Sequence, residues 1–132
     1  MLKKSLKSYD LEIYPNFASA TFIDLQSKEE RVFIFNHNHY PLTELRDFII
    51  SEVSSLVGYN SQSYDDTILE YMIRYRGSKS DLNIELYALS QEIINNDAPT
   101  DRVKDLRWNK SFKGIDLIRV MFSSKLRKGL KQ

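Results

Sequence analysis

The 132-residue sequence contains no cysteine. That excludes disulfides, thiolate zinc sites and cysteine nucleophiles, and it fits a reducing compartment. Glycine and proline are scarce, at four and three residues, and no glycine-rich phosphate loop or dinucleotide fingerprint occurs, so ATPase and Rossmann readings fall away. A Ser-His-Asp set is missing as well. No apolar run approaches the roughly 18 residues of a membrane span, and Met1-Leu-Lys-Lys lacks the apolar stretch of a signal peptide. The expected location is the cytoplasm, with no membrane partner. Charge of either sign is not in excess: 19 Lys and Arg stand against 18 Asp and Glu, a net +1. Bulk electrostatics therefore single out no nucleic acid or membrane, and such a partner has to be argued from local residues.

What is present is the composition of an ordinary folded domain, 42% hydrophobic and 28% charged, in a chain long enough to bury one core. Residues 1–132 read as a single domain. Tyr9 to Tyr14 alternates Leu11 and Ile13 with Asp10 and Glu12, Phe17 to Asp24 alternates again, and Gln26 to Glu30 is a polar loop before the aromatic, β-branched Arg31 to Phe35. These predict an antiparallel meander of three strands. Pro41 opens a helix on which Leu42, Leu45, Phe48, Ile49 and Val53 share a face through Leu56. A short strand at Leu56 to Tyr59 follows. Ser61 to Ser63 offers a cap for a helix carrying Ile68, Leu69, Met72 and Ile73. Asp81 to Asn96 is a further helix, ended by Asn95-Asn-Asp-Ala-Pro99 before a short polar connection. Ile115 to Phe122 is strand-like, and Lys125 to Gln132 begins a helix. The class implied is α/β, a mixed sheet in which a β-meander is followed by helices.

The chemistry concentrates in acids. On a strand, side chains two apart share a face, so Asp10 and Glu12 project together while Leu11 and Ile13 face the other way. Paired carboxylates repel unless a cation relieves them, and the hard, oxygen-seeking Mg²⁺ and Mn²⁺ are suited to that. A lone Asp-x-Glu is most often a solvated sheet face. A second motif changes its weight: Asn60-Ser-Gln-Ser-Tyr64-Asp65 lies where a strand ends and a helix begins, with Asp65 in the helix's first turn pointing toward the strand ends. Asp66 reads as a second-turn helix acid.

With Asp10-Leu-Glu12 and Asn60-Ser-Gln-Ser-Tyr64-Asp65, 55 positions apart from Asp10 to Asp65, the chain resembles the 3′–5′ exonuclease (proofreading) domain of phage DNA polymerases, within the superfamily named for its four acidic ligands. The first motif there is Asp-x-Glu, and the second is Asn, two or three residues, Phe or Tyr, then Asp. The stretches Tyr9 to Phe17 and Ile115 to Leu130 are similar to that family's opening hairpin and to a later strand and helix, so the resemblance covers nearly the whole chain. It implies a ribonuclease-H-like fold with a mixed five-stranded sheet. It also implies two divalent ions, Mg²⁺ or Mn²⁺, held by Asp10, Glu12 and Asp65, with Asp10 bridging. The implied reaction is a two-metal hydrolysis of the terminal phosphodiester at a single-stranded DNA 3′ end. Asn60 and Tyr64 would contact that strand, Tyr64 by stacking or, on its other reading, by capping the core. Asp116-Leu117-Ile-Arg-Val120 fits a family motif of Ser or Thr, Leu, two residues and an apolar residue except at its first position. Leu117 is thereby a substrate contact by resemblance, and Asp116 is a departure that would repel phosphate unless it is structural.

The family's third motif, Tyr-x-x-x-Asp, has no counterpart after Asp65: four positions beyond Tyr71, Tyr75 and Tyr87 stand Tyr75, Lys79 and Gln91. The expectation is that this chain is an amino-terminal fragment of such a domain, incomplete at its C-terminus, partnered by the remainder of a polymerase and inactive or nearly so by itself. The alternative is a non-catalytic ribonuclease-H-like module of a phage or mobile element that binds nucleic acid or a replisome protein; either would act in the host cytoplasm. Two other signals carry less. Asn36-His-Asn-His-Tyr40 lacks the further ligands a zinc or nuclease site needs and reads as a surface loop. Lys110, Lys113, Lys125, Arg127, Lys128 and Lys131 form a basic stretch that would follow a DNA backbone or simply line a solvated helix face.

Overall fold

Alternation of apolar and polar side chains dictates the first three strands, β1 (Ser5–Tyr14), β2 (Phe17–Asp24) and β3 (Glu30–Phe35). The computed structural model describes residues 3–59 and 61–117. After the meander come α1 (Leu42–Glu52), β4 (Val53–Gly58), α2 (Asp65–Arg74), a 3₁₀ turn (Lys79–Asp81), α3 (Leu82–Asn95), α4 (Asp101–Trp108) and β5 (Gly114–Asp116). The fold is α/β, with one five-stranded mixed sheet in the order β3-β2-β1-β4-β5. β1 pairs antiparallel with β2 and parallel with β4, and β5 adds parallel to β4. β1 is therefore central.

Tyr9 and Leu11 of β1, Ala18, Ala20 and Phe22 of β2, and Phe33 and Phe35 of β3 point to one face and are buried there. Against them pack Leu45 and Phe48 of α1, Ile68, Leu69 and Met72 of α2, and Leu82, Leu86 and Leu89 of α3, in one cluster. Phe22 sits in its middle, stacked on Tyr9 at 5.8 Å between ring centroids and 5.0 Å from Phe48. At about 25 cal/mol per Å² of apolar area, side chains of this size dominate the stabilisation. The alternate residues of the meander, among them Leu6, Tyr14, Ile23, Val32 and Ile34, are exposed on the opposite face. No helix among the described residues is long and apolar enough to cross a membrane.

Three expectations about element bounds are corrected. The first helix stops at Glu52, and Val53 and Leu56 belong to β4. Both are buried either way, but parallel pairing with Ser5 to Ser8 wins because it satisfies the backbone of the central strand as well. β1 starts at Ser5, not Tyr9, because the inward-facing Lys7 is neutralised by Asp24 at 2.9 Å and lies over the Phe48 ring. The connection after Pro99 contains α4, which buries only Val103 and Leu106 and is held by its cap, Thr100, whose hydroxyl accepts from the Val103 N–H at 3.3 Å. The tail helix expected over Lys125 to Gln132 lies outside the described residues, as does the strand expected beyond Leu117.

Candidate functional site

The register of β1 sets the first pair of acids. Because Tyr9 and Leu11 face the core, Asp10 and Glu12 emerge on the other face, opposite Thr21 and Ser19 of β2, and both are exposed. On its other side β1 is paired with β4 as far as Ser8, opposite Val57. β4 ends at Gly58, and β1 runs on to Tyr14. The edge of β1 beside Asp10 thus faces the turn that leads from β4 into α2.

That turn is closely packed. A side chain at Gly58 would collide with Ser61, which is buried against it, and Ser61 accepts from the Asp66 N–H at 2.7 Å through its carbonyl. Asp116 at the end of β5 accepts from the Gln62 N–H at 3.0 Å. The serine cap expected for α2 is therefore a backbone one; Tyr64 stands at the cap position and makes no side-chain capping bond. Asp116, the residue that departs from the family motif, has a structural use in holding this turn.

Asp65 opens α2 with its carboxyl partly buried. Its pKa is pushed up to about 7 by burial first, then by the charges of Asp10 and Asp66. The helix N-terminus would favour the anion by about 0.3–1 kcal/mol, and burial together with two like charges outweighs it. Asp10, on the open edge of β1, thus lies within electrostatic reach of Asp65, although 55 positions separate them. Glu12 is two residues farther along the strand and is not among the groups acting on Asp65.

Asp66 shares a helical turn with its neighbour Asp65 but differs from it in burial and in partners. It lies in the first turn of α2, not the second, and is 1% exposed. Its Oδ1 accepts from the Tyr9 hydroxyl, and its Oδ2 from Lys110 Nζ at 2.8 Å. Burial and the Asp66 charge hold the Tyr9 phenol far above its ordinary pKa. One turn on, the fully buried Glu70 accepts from Arg74 Nε at 2.8 Å, from the Ser111 N–H at 2.6 Å and from the Ser111 hydroxyl at 2.7 Å. These acids bind the segment before β5 to α2. They were not expected as site residues. The signal was in the spacing: Asp66 and Glu70 share the helical stripe of Leu69 and Ile73, and Tyr9 holds an inward position where a phenol needs a partner.

The remaining expected contacts distribute as follows. Asn60 lies outside the described residues. Tyr64 is half-buried against the core, and burial raises its pKa; it borders a cleft of about 260 Å³ with Glu92, Ile93 and Asn96. Leu117 is exposed just past β5. Lys110 is taken up by Asp66 and the ring of Phe112, Lys113 is exposed, and Lys125, Arg127, Lys128 and Lys131 lie outside the described residues. His37 and His39 are on an exposed loop in which Asn36 Oδ1 accepts from the backbone of Asn38 and His39.

The donor set decides how much of a cation site this is. Mg²⁺ is commonly held by one or two carboxylates, with water and substrate phosphate completing six oxygens. Asp10 and Asp65 supply that number of carboxylates, and a dication would relieve the repulsion that adds to burial in raising Asp65. Among the described residues, however, no three His, Asp or Glu side chains gather as a group able to hold a metal ion. The described residues thus offer this pair as candidate ligands for one ion and no gathered set for two. Comparison with protein-family models, curated proteins and solved structures finds no match to this chain.

Proposed function

We propose that the chain carries the first two acidic motifs of a 3′–5′ exonuclease domain of the kind found in phage DNA polymerases, with a single-stranded DNA 3′ end as substrate and a ribonuclease-H-like fold as scaffold. The observation that carries this reading is that Asp10 and Asp65 come within electrostatic reach of each other where β1 runs past the end of β4. The five-stranded mixed sheet supports it as well. In this reading Asp10 and Asp65 hold one Mg²⁺ or Mn²⁺ ion, Glu12 flanks the pair on the same strand face, and Asn60, Tyr64 and Leu117 meet the DNA. Bound ions would supply the activation of water and the stabilisation of charge on the leaving oxygen. The residues of this chain contribute the ligands and their fixed geometry. With these two acids and no gathered group of three ligand side chains among the described residues, cleavage by these residues alone is slow or absent.

The test is a Mn²⁺ titration followed by water-proton relaxation, on the wild type and on Asp10→Asn and Asp65→Asn, beside an assay for shortening of a 5′-labelled oligonucleotide. Binding of Mn²⁺ that either substitution weakens at least about tenfold is expected, with little shortening. Mn²⁺ binding indifferent to both substitutions sinks the reading. The lack of a gathered group of three ligand side chains among the described residues also favours a second reading, a module that binds nucleic acid or a replisome protein without cleaving it. Equal binding of single-stranded DNA with and without Mn²⁺ would select that one.

A further inference from the structure

We infer that Tyr9, Asp66 and Lys110 form a positioning clamp that fixes the separation of Asp10 and Asp65; the inference rests on the reading of those two acids as a cation site. Tyr9 immediately precedes Asp10 on β1, and Asp66 immediately follows Asp65 on α2. The hydrogen bond from Tyr9 to Asp66 therefore closes a short bridge between the two backbones directly behind the two acids. β1 and α2 cannot slide past each other at this point without breaking it.

The second half of the clamp comes from a third element. Lys110 holds the other oxygen of Asp66 at 2.8 Å, and at Gly114 a Cβ would stand 2.7 Å from that same oxygen and 3.1 Å from the Lys110 ammonium. The Asp66 carboxylate is thus gripped on both oxygens and roofed by a residue with no side chain. Tyr9 is held in turn by its stacking on Phe22.

Apolar packing would attach α2 to the sheet without any of this, through Ile68, Leu69 and Met72. Such contacts are non-directional and do not by themselves hold a constellation to the about 0.5 Å that a working site requires. A buried Asp–Lys pair, for its part, adds little net stability, since desolvation offsets most of its attraction. What the bridge adds to the packing is direction, at the one place where two candidate ligands flank it.

Spin labels test this, because the chain has no cysteine of its own. Tyr14→Cys and Tyr59→Cys place labels on two exposed side chains, at the end of β1 and on the turn before α2. In that background Tyr9→Phe removes the hydroxyl and keeps the ring. Tyr75→Phe is the control, since it deletes another buried phenol, bonded to the Ser78 carbonyl and remote from the acids. At a temperature where all variants are folded, Tyr9→Phe is expected to broaden the label distance distribution and to weaken Mn²⁺ binding about tenfold or more. Tyr75→Phe should change neither. An unchanged distance in Tyr9→Phe overturns the clamp whatever Mn²⁺ does, and a broadened distance with unchanged Mn²⁺ affinity overturns its positioning role. A broadened distance in a protein whose wild type binds no Mn²⁺ keeps the bridge as a backbone constraint and overturns the exonuclease reading instead. Should Tyr9→Phe fail to fold, Gly114→Ala, which presses a methyl onto Asp66 while leaving all three side chains in place, carries the same expectations.

Discussion

Asp65 and Asp66 are consecutive residues in one helical turn, and they have opposite circumstances. Asp66 is fully buried and has a partner for each oxygen, Tyr9 on one and Lys110 on the other. Asp65 is less buried, and the charged groups acting on it are both acids. The general point is that burial alone does not mark a structural acid. Electrostatic satisfaction does: an acid whose surroundings favour its charge is part of the scaffold, and one whose surroundings disfavour it is waiting for a cation or a proton. Glu70 falls with Asp66, satisfied by Arg74 and Ser111.

Removing the partner on the satisfied side should cost most. Lys110→Met keeps the aliphatic bulk over Phe112 and leaves the Asp66 carboxylate buried without a counter-charge. A loss of about 3–5 kcal/mol is expected, measured by urea unfolding of wild type and variant. The double variant Lys110→Met, Asp66→Leu should recover much of it, because the buried charge is then absent. Equal stability of wild type and Lys110→Met would mean that Asp66 is no better satisfied than its neighbour, and the contrast between them would collapse.

Glu70→Gln is a milder cut at the same network. It keeps an oxygen for Ser111 and removes the charge that Arg74 meets at 2.8 Å, with Arg74 retaining Asp105 at 2.7 Å and the Asn109 carbonyl. About 1–2 kcal/mol should be lost, and amide exchange should quicken at Ser111 and along β5. Asp65 should titrate as before, since Glu70 is not among its charge neighbours. A shifted Asp65 titration would show that the two networks are coupled and not separate.

The contrast explains what could be read from sequence. The meander and the inward face of β1 followed from period-two alternation, and the motif that links Asp10 with Asp65 named the strand and the helix that carry them. The helix–strand junction at Val53 did not follow, because Val53 and Leu56, three apart, share a face on a helix and would face opposite ways on a regular strand; the irregular pairing at Ser5 and Leu6 lets both be buried in β4. α4 was hidden by its polarity, since a helix that buries two residues has almost no apolar period. The clamp was invisible for a deeper reason. Lys110 reaches Asp66 across 44 positions, and in sequence it is one more member of a basic stretch, with nothing local to say which acid it meets.

The smallest expected effect is the most direct test of the unsatisfied side. Asp65 binds its proton more tightly in the native protein, near pH 7, than in the unfolded chain, near 3.8. Below pH 3.8 both states carry the proton and the extra stability is fully present; between there and about 7 the unfolded chain has released its proton and the native protein has not. Stability is therefore lost as pH rises through this window. Asp65→Asn, which carries no titrating proton, should abolish that part of the pH dependence. Near pH 4 the variant should match the wild type, and at pH 8 it should be more stable by about 1 kcal/mol, the repulsion being screened at a partly exposed site. Melting temperatures of the two proteins across pH 4–8 measure this, and added Mn²⁺ at pH 8 should narrow the gap by stabilising only the wild type. Parallel melting curves across the whole range would show that Asp65 is as well satisfied as Asp66, and its nearness to Asp10 would then be packing and nothing more.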